Sequence, residues 1–157
     1  MRCIVTGGAG FIGSNLVDKL IDEGHEVIIF DNYSTGKKEN INPKAKFFLV
    51  DISHRPSFQN DTMRDVMTGV DVVFHLAALA RVQPSIENPI EYHNTNVNGT
   101  LNLLKACVDY DVKRFVFSSS SSVYGDVEEK DLPTSEDANL NPMSPYAIHK
   151  LIGEQYC

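Results

Sequence analysis

Tyr146 and Lys150 stand four residues apart in the segment SPYAIHKLIGEQYC. On a helix this spacing puts both side chains on one face. An ammonium beside a phenol favours the phenolate, so the pair could serve as a general base near neutral pH. Alone, a Y-x-x-x-K match is common and reads more readily as two ordinary helix residues. A run of hydroxyls precedes it: FVFSSSSSVYG sets Ser118 to Ser122 directly after an apolar stretch. Such a run is often only a polar loop. After a buried parallel strand, however, it would line the ligand crevice, which opens at the carboxyl ends of the strands.

A second chemistry-bearing segment lies near the start, VTGGAGFIGSNL. Gly8, Gly10 and Gly13 fit G-x-G-x-x-G, and Thr6-Gly7 with Gly10 and Gly13 fit T-G-x-x-G-x-x-G. Glycines so spaced permit a tight turn, close backbone approach to a pyrophosphate, and close helix–strand packing. The helix that follows offers free N–H groups and a positive dipole end to the phosphates. A glycine turn by itself is weak evidence. Here Asp31 follows at about 20 residues, at the end of the second apolar run, where a ribose-binding acid belongs. Its carboxylate can accept from ribose hydroxyls and would repel a 2′-phosphate, which favours NAD over NADP. Lys37 and Lys38 are the neighbours that could weaken that preference.

These groups need a scaffold. CIVT, EVIIF, KFFLV, DVVFHLA and RFVFSSS are short apolar runs, as expected for strands buried on both faces. Between the first two, Ile12, Leu16 and Leu20, with Val17 and Ile21, predict an amphipathic helix ending at Gly24 as its C′ residue. Further helices are predicted over about Ser57 to Met67 and about Asn88 to Tyr110, the latter with Leu101, Leu104 and Val108 on one side. Gly99 inside that long helix suggests close packing of another backbone. A last helix starts with Ser144 as N-cap and Pro145 at the first helical position. Gly125 to Met143 reads as a long loop near the site. The alternation predicts an α/β fold with a doubly wound, mostly parallel sheet, Rossmann-type, occupying residues 1–157 as one domain.

Composition agrees with one globular domain: 157 residues, 42% hydrophobic, 22% charged, net charge −7. The acidic balance argues against a nucleic-acid partner. No apolar run is long enough for a membrane span, and the N-terminus lacks the features of a signal peptide. Cys3, Cys107 and Cys157 show neither a disulfide framework nor metal-ligand spacing, so no metal is expected, and a cytoplasmic location is. His75, His93 and His149 are read as non-catalytic, and Arg81 as a solvated arginine.

The motifs TGGAGFIG, DNYSTGK, VDI, HLAA, NTNVNGT, SSSSSVYG and SPYAIHK run through the whole chain in one order. Together they resemble the amino-terminal part of an extended short-chain dehydrogenase/reductase of the nucleotide-sugar epimerase/dehydratase type. The resemblance implies NAD as cofactor, with Gly7, Gly10, Phe11 and Ile12 cradling the pyrophosphate. Asp31 and Asn32 would hold the adenosine ribose beside Ser34, Thr35 and Gly36. Asp51 and Ile52 would flank the adenine. Leu76, Ala77, Ala78 and Ala80 would line the cleft, with Thr95 and Ser118 contributing. Ser120 matches the family's catalytic Ser/Thr, Tyr146 the base, and Lys150 the residue that grips the nicotinamide ribose. Ser120, Ser122 and Tyr146 would face the substrate.

Ser121 and Ser122 stand where dehydratases and decarboxylases of this family carry carboxylates. The pattern therefore resembles UDP-glucose 4-epimerases and their close relatives. The implied reaction is epimerisation of a UDP-hexose. Tyr146 takes the 4-hydroxyl proton while hydride leaves C4, and both return after the 4-keto sugar turns over. The alternatives are a dehydratase, decarboxylase or reductase of the same family, or a non-catalytic NAD-binding module. Family members run for roughly as long again, so the expectation is a fragment lacking most of the sugar pocket and the carboxyl-terminal substrate domain. A homodimer through the long helix and the Tyr146 helix is also implied.

Overall fold

The computed structural model describes residues 1–157 throughout. Five strands form one all-parallel sheet: β1 Arg2–Thr6, β2 Glu26–Asp31, β3 Lys46–Leu49, β4 Val72–His75 and β5 Arg114–Phe117, in the order β3-β2-β1-β4-β5. The order reverses between β1 and β4, so their carboxyl ends flank a switch point where a ligand crevice opens.

Strand pleating sorts the apolar runs onto two faces. Cys3, Val5, Val27, Ile29 and Val72 pack on one side with Val17 and Leu20 of α1 (Phe11–Asp22). Ile4, Ile28, Phe30 and Val73 pack on the other, under α2 (Asp61–Met67) and the long helical rod. Helix α1 ends as expected. Gly24 takes φ +80°, its N–H bonds to Ile21 O at 2.9 Å, and His25 N–H bonds to Leu20 O at 3.0 Å. This paired C-terminal closure needs a left-handed residue at that point.

Several expectations need correction. Ile12 is not in the buried stripe of α1. It is 64% exposed at the helix mouth, and Gly13 occupies the buried turn instead. The helix predicted from Ser57 is a 3-10 turn, Arg55–Phe58, followed by α2, which Asn60 caps by accepting from Met63 N–H. A short helix α3 (Val82–Glu87) was not foreseen. The long helix is a rod of three pieces: α4 (Pro89–His93), a π turn (Asn94–Asn98) and α5 (Gly99–Asp109). Its inward face is Leu103, Ala106 and Cys107, whereas Leu101 and Val108 of the expected stripe are 45% and 73% exposed. Gly99 does mark a close approach, but to the Ile52 side chain and not to another backbone; an added Cβ would meet Ile52 Cγ1 at 2.8 Å.

The last helix, α6 (Pro145–Tyr156), begins as predicted: Ser144 Oγ accepts from Ala147 N–H at 3.2 Å. It packs beside α3, α4, the π turn and α5. The stretch from Gly125 to Met143 is irregular apart from a 3-10 turn at Glu129–Asp131, and Asn141 N–H ties it back to Val123 O at 2.9 Å.

Candidate active site

The phosphate loop joins β1 to α1. Gly7 adopts φ +70°, its N–H bonds to Phe30 O at 2.8 Å, and Gly10 N–H returns to Gly7 O at 3.0 Å. Two of the glycines leave no room for a side chain. A Cβ on Gly7 would lie 2.8 Å from Ala77 N, and one on Gly13 would lie 2.1 Å from Gly7 O. Gly10 caps α1 without any side-chain hydrogen bond. The first-turn N–H groups of α1 are therefore left to a ligand, and the dipole there favours an anion. Phe11 and Ile12 stand at this end with exposed side chains, so their share in any cradle is through backbone.

Asp31 is buried at the end of β2. Its Oδ2 accepts from Ala9 N–H at 3.0 Å and its Oδ1 from Tyr33 N–H at 2.7 Å. Each oxygen keeps a lone pair for a further donor. Asn32 Oδ1 accepts from Ser34 N–H at 2.9 Å, which folds the following loop, and Lys37 N–H and Asn40 Nδ2 both reach Ala9 O at 2.9 Å. Gly36 fits because it has no Cβ to meet Ala9 and Asp31 Oδ1. The Lys37 ammonium turns to Glu39 at 3.7 Å.

A cleft opens above these strands. Gly7, Gly10, Asp31, Asn32, Ser34, Thr35, Ile52, Leu76, Ala77, Ala78 and Thr95 line it, together with Phe30 and Val50, which the sequence reading missed. Their only signal in the sequence is position, since each ends an apolar run. A contiguous hollow adds Asp51, Ser53, Leu79 and Asn94. Ala80 is exposed beyond it.

The candidate acid–base residues sit past β5. Lys150 is 5% exposed, and its Nζ donates to Ser118 O at 2.7 Å and lies 4.9 Å from the Phe117 ring centroid. Burial pushes its ammonium down to about 8. The Tyr146 ring centroid is 6.0 Å from the same Nζ, and Tyr146 N–H is held by Ser85 Oγ at 3.1 Å. Helix α6 comes this close because Gly153 lies flat on Phe117, where a Cβ would sit 2.3 Å from Cζ. Ser120 caps a 3-10 turn, Ser121–Tyr124, accepting from Ser122 N–H at 3.2 Å and from Ser122 Oγ at 2.9 Å. Ser119 Oγ bonds the Glu154 carboxylate on α6. Strand β5, the serine turn and α6 thus form one unit, which carries Ser120, Tyr146 and Lys150.

No group of three or more His, Cys, Asp and Glu is placed to hold a metal. His93 and His149 meet each other edge-on with centroids 5.4 Å apart, and neither lines the main cleft. Arg81 is exposed ahead of α3.

Residues 3–157 match the family model described as NAD dependent epimerase/dehydratase family. The chain belongs to that family. Among curated relatives of this family, UDP-glucose 4-epimerase of Lactobacillus helveticus is 41% identical over 155 residues, covering 99% of this chain and 46% of the relative. Among solved structures, the Thermus thermophilus UDP-glucose 4-epimerase, a complex with NAD, superposes with TM-score 0.93 at 41% identity, covering 99% of this chain and 49% of that one. The Thermotoga maritima UDP-glucose 4-epimerase with UDP-glucose gives TM-score 0.89 at 42% identity, covering 99% and 50%. This epimerase/dehydratase-family chain spans about half the length of the curated relatives it matches.

Proposed function

We propose that this chain is the NAD-binding and acid–base part of a nucleotide-sugar 4-epimerase acting on a UDP-hexose. One observation carries the reading. A single cleft has a buried carboxylate, Asp31, at one wall and an uncapped helix end at its floor, and the buried Lys150 with Tyr146 lies past its far strand. The tightness of the loop supports a dinucleotide cradle: Gly7 and Gly13 have no space for a Cβ, so bare backbone faces the place of a pyrophosphate.

In this reading Gly7, Gly10 and the first turn of α1 hold the pyrophosphate. Asp31, Asn32, Ser34, Thr35 and Gly36 hold the adenosine ribose, and Asp51 and Ile52 flank the adenine. Leu76, Ala77, Ala78, Thr95 and Ser118 contribute to the remainder, and Ala80 does not. NAD, when bound, supplies a hydride acceptor and donor. Tyr146 Oη takes the proton of the sugar 4-hydroxyl and later returns it. Lys150 keeps positive charge beside the phenol and grips the nicotinamide ribose, while Ser120 orients the hydroxyl, with Ser122 beside it. Ser121 and Ser122 offer no carboxylate, which favours epimerisation over elimination or decarboxylation. The contacts that select the sugar would come from the part of the relatives' length that this chain does not span.

Titration calorimetry with NAD and NADP tests the cofactor half. NAD should bind more tightly, and Asp31→Ser should narrow the gap; equal affinities in the unaltered protein would refute the role given to Asp31. A coupled UDP-galactose assay on residues 1–157 should show little turnover. Robust turnover abolished by Tyr146→Phe would show that the sugar pocket is already complete here.

A further inference from the structure

Behind the cleft wall runs a chain of buried polar groups that the proposed chemistry does not use. His75 ends β4 and is 2% exposed. Its Nδ1 is 2.7 Å from Thr6 Oγ1 and its Nε2 is 2.9 Å from Thr100 Oγ1. The ends of the chain set the direction of every hydrogen. Thr100 Oγ1 donates its single proton to Asn96 O at 2.7 Å, so it can only accept from Nε2, which must carry the ring proton. In a neutral ring Nδ1 then accepts, and Thr6 Oγ1 donates to it. Thr6 Oγ1 is left to accept from Ala77 N–H, at 3.1 Å. The surroundings keep the ring neutral. Phe115 and Phe117 flank it with centroids at 5.6 and 5.8 Å, and burial together with the Lys150 charge pushes it down to about 3.

Both ends of this chain hold the same loop. Thr6 takes Ala77 N–H at one end. At the other, the Asn96 side chain accepts from Leu79 N–H and donates to Leu79 O, each at 2.9 Å. Asn96 lies in the π turn and faces inward, 4% exposed. Leu76, Ala77 and Ala78 wall the cleft, so the wall is clipped on both sides and His75 joins the clips.

We infer that His75 is a positioning residue: as a neutral donor–acceptor bridge between Thr6 and Thr100, it couples the phosphate-loop strand to the π turn and fixes the cleft wall at Ala77 and Leu79. A merely space-filling histidine would leave the two clips independent. The consequence for NAD affinity rests on the cofactor reading above; the coupling itself does not.

The test is amide hydrogen exchange by NMR on the unaltered protein, Thr100→Val and Thr100→Ser. Thr100 makes no hydrogen bond to Ala77. Coupling through His75 nevertheless requires that Thr100→Val speed exchange at the Ala77 amide by about tenfold, the scale of one lost buried hydrogen bond. Ile28 in β2 should keep its rate. Thr100→Ser keeps both hydrogen bonds and should restore the Ala77 rate. An unchanged Ala77 rate in Thr100→Val overturns the inference. Long-range proton–nitrogen spectra of the unaltered protein give a second readout that needs no variant. At neutral pH His75 should show the neutral Nε2–H tautomer, and the Nδ1–H tautomer or an imidazolium would overturn the bridge. Calorimetry then separates the two readings. If NAD binds the unaltered protein, Thr6→Val and Thr100→Val together should weaken it by less than the product of their separate effects, and a full product would overturn the coupling. If NAD does not bind at all, the cofactor reading fails while the exchange rates still decide the bridge.

Discussion

Lys150 holds a charge where the fold has excluded most of the water. Its ammonium keeps one hydrogen bond, to Ser118 O, and the face of Phe117, but no carboxylate partner. The shift from 10.5 to about 8 corresponds to roughly 3 kcal/mol given up to keep the charge at neutral pH. Lys150→Met should therefore raise stability by about 1–3 kcal/mol in urea titrations while it removes turnover from any active form. The sign follows from proton binding. Between about 8 and 10.5 the unfolded lysine holds a proton that the folded one has released, so stability of the unaltered protein should climb with pH there. The methionine variant should lack that climb. His75 acts at the other end of the scale. Its folded value near 3 lies below its ordinary 6.5, so acid protonates the unfolded chain first. Stability should fall as pH drops below about 6.5, by up to about 1.4 kcal/mol per pH unit from this residue, with His149, also pushed down by burial, adding in the same direction. Denaturation midpoints that stay flat between neutral pH and about pH 5 would contradict the buried neutral ring.

The phosphate loop and the π turn show which elements a sequence can announce. Gly7, Gly10 and Gly13 were legible because their demands are local: a positive φ, a return hydrogen bond, and the absence of Cβ within one turn of chain. The N-cap Ser144 and the helix stop at Gly24 were legible for the same reason. The π turn was not, because what its Asn96 meets, the Leu79 backbone, lies 17 residues away. The inward face of α5 was misjudged because that helix is apolar on two sides, and periodicity cannot say which side meets the sheet. In the site, the terminal strand residues Phe30 and Val50 escaped notice because they carry no polar group to mark them. The glycine argument predicts a contrast. Gly13→Ala sets a Cβ 2.1 Å from Gly7 O, a backbone atom that cannot swing away, and should abolish NAD binding. Gly24→Ala meets nothing within 4 Å, so its cost is the left-handed conformation alone, about 1 kcal/mol of stability, with NAD affinity unchanged. Calorimetry and urea titration on the two variants check both halves.

At the scale of the whole molecule, the sheet is covered by helices on both faces over its centre, yet the helical layer leaves several apolar side chains exposed, with the Lys105–Asp109 ion pair among them. Ile90, Leu101 and Val108 along the rod are 77%, 45% and 73% exposed, and Ile148 on the adjoining α6 is 44% exposed. Leu101 and Val108 lie seven residues apart on one continuous helix, so they share a side. Scattered single apolar residues need no partner, but several on two adjacent helices are a surface that association would bury. The expected consequence is a symmetric dimer in which this helical layer faces its own copy. A two-fold interface repeats each contact, so one charge introduced on one chain appears twice in the assembly. Val108→Glu should therefore shift the protein to monomer in light scattering across the micromolar range. Because Val108 is 73% exposed and outside the cleft, the variant should keep the thermal stability and NAD affinity of an intact fold. A protein that is monomeric before the substitution, or a Val108→Glu variant that stays dimeric, would place the self-association surface elsewhere or remove it.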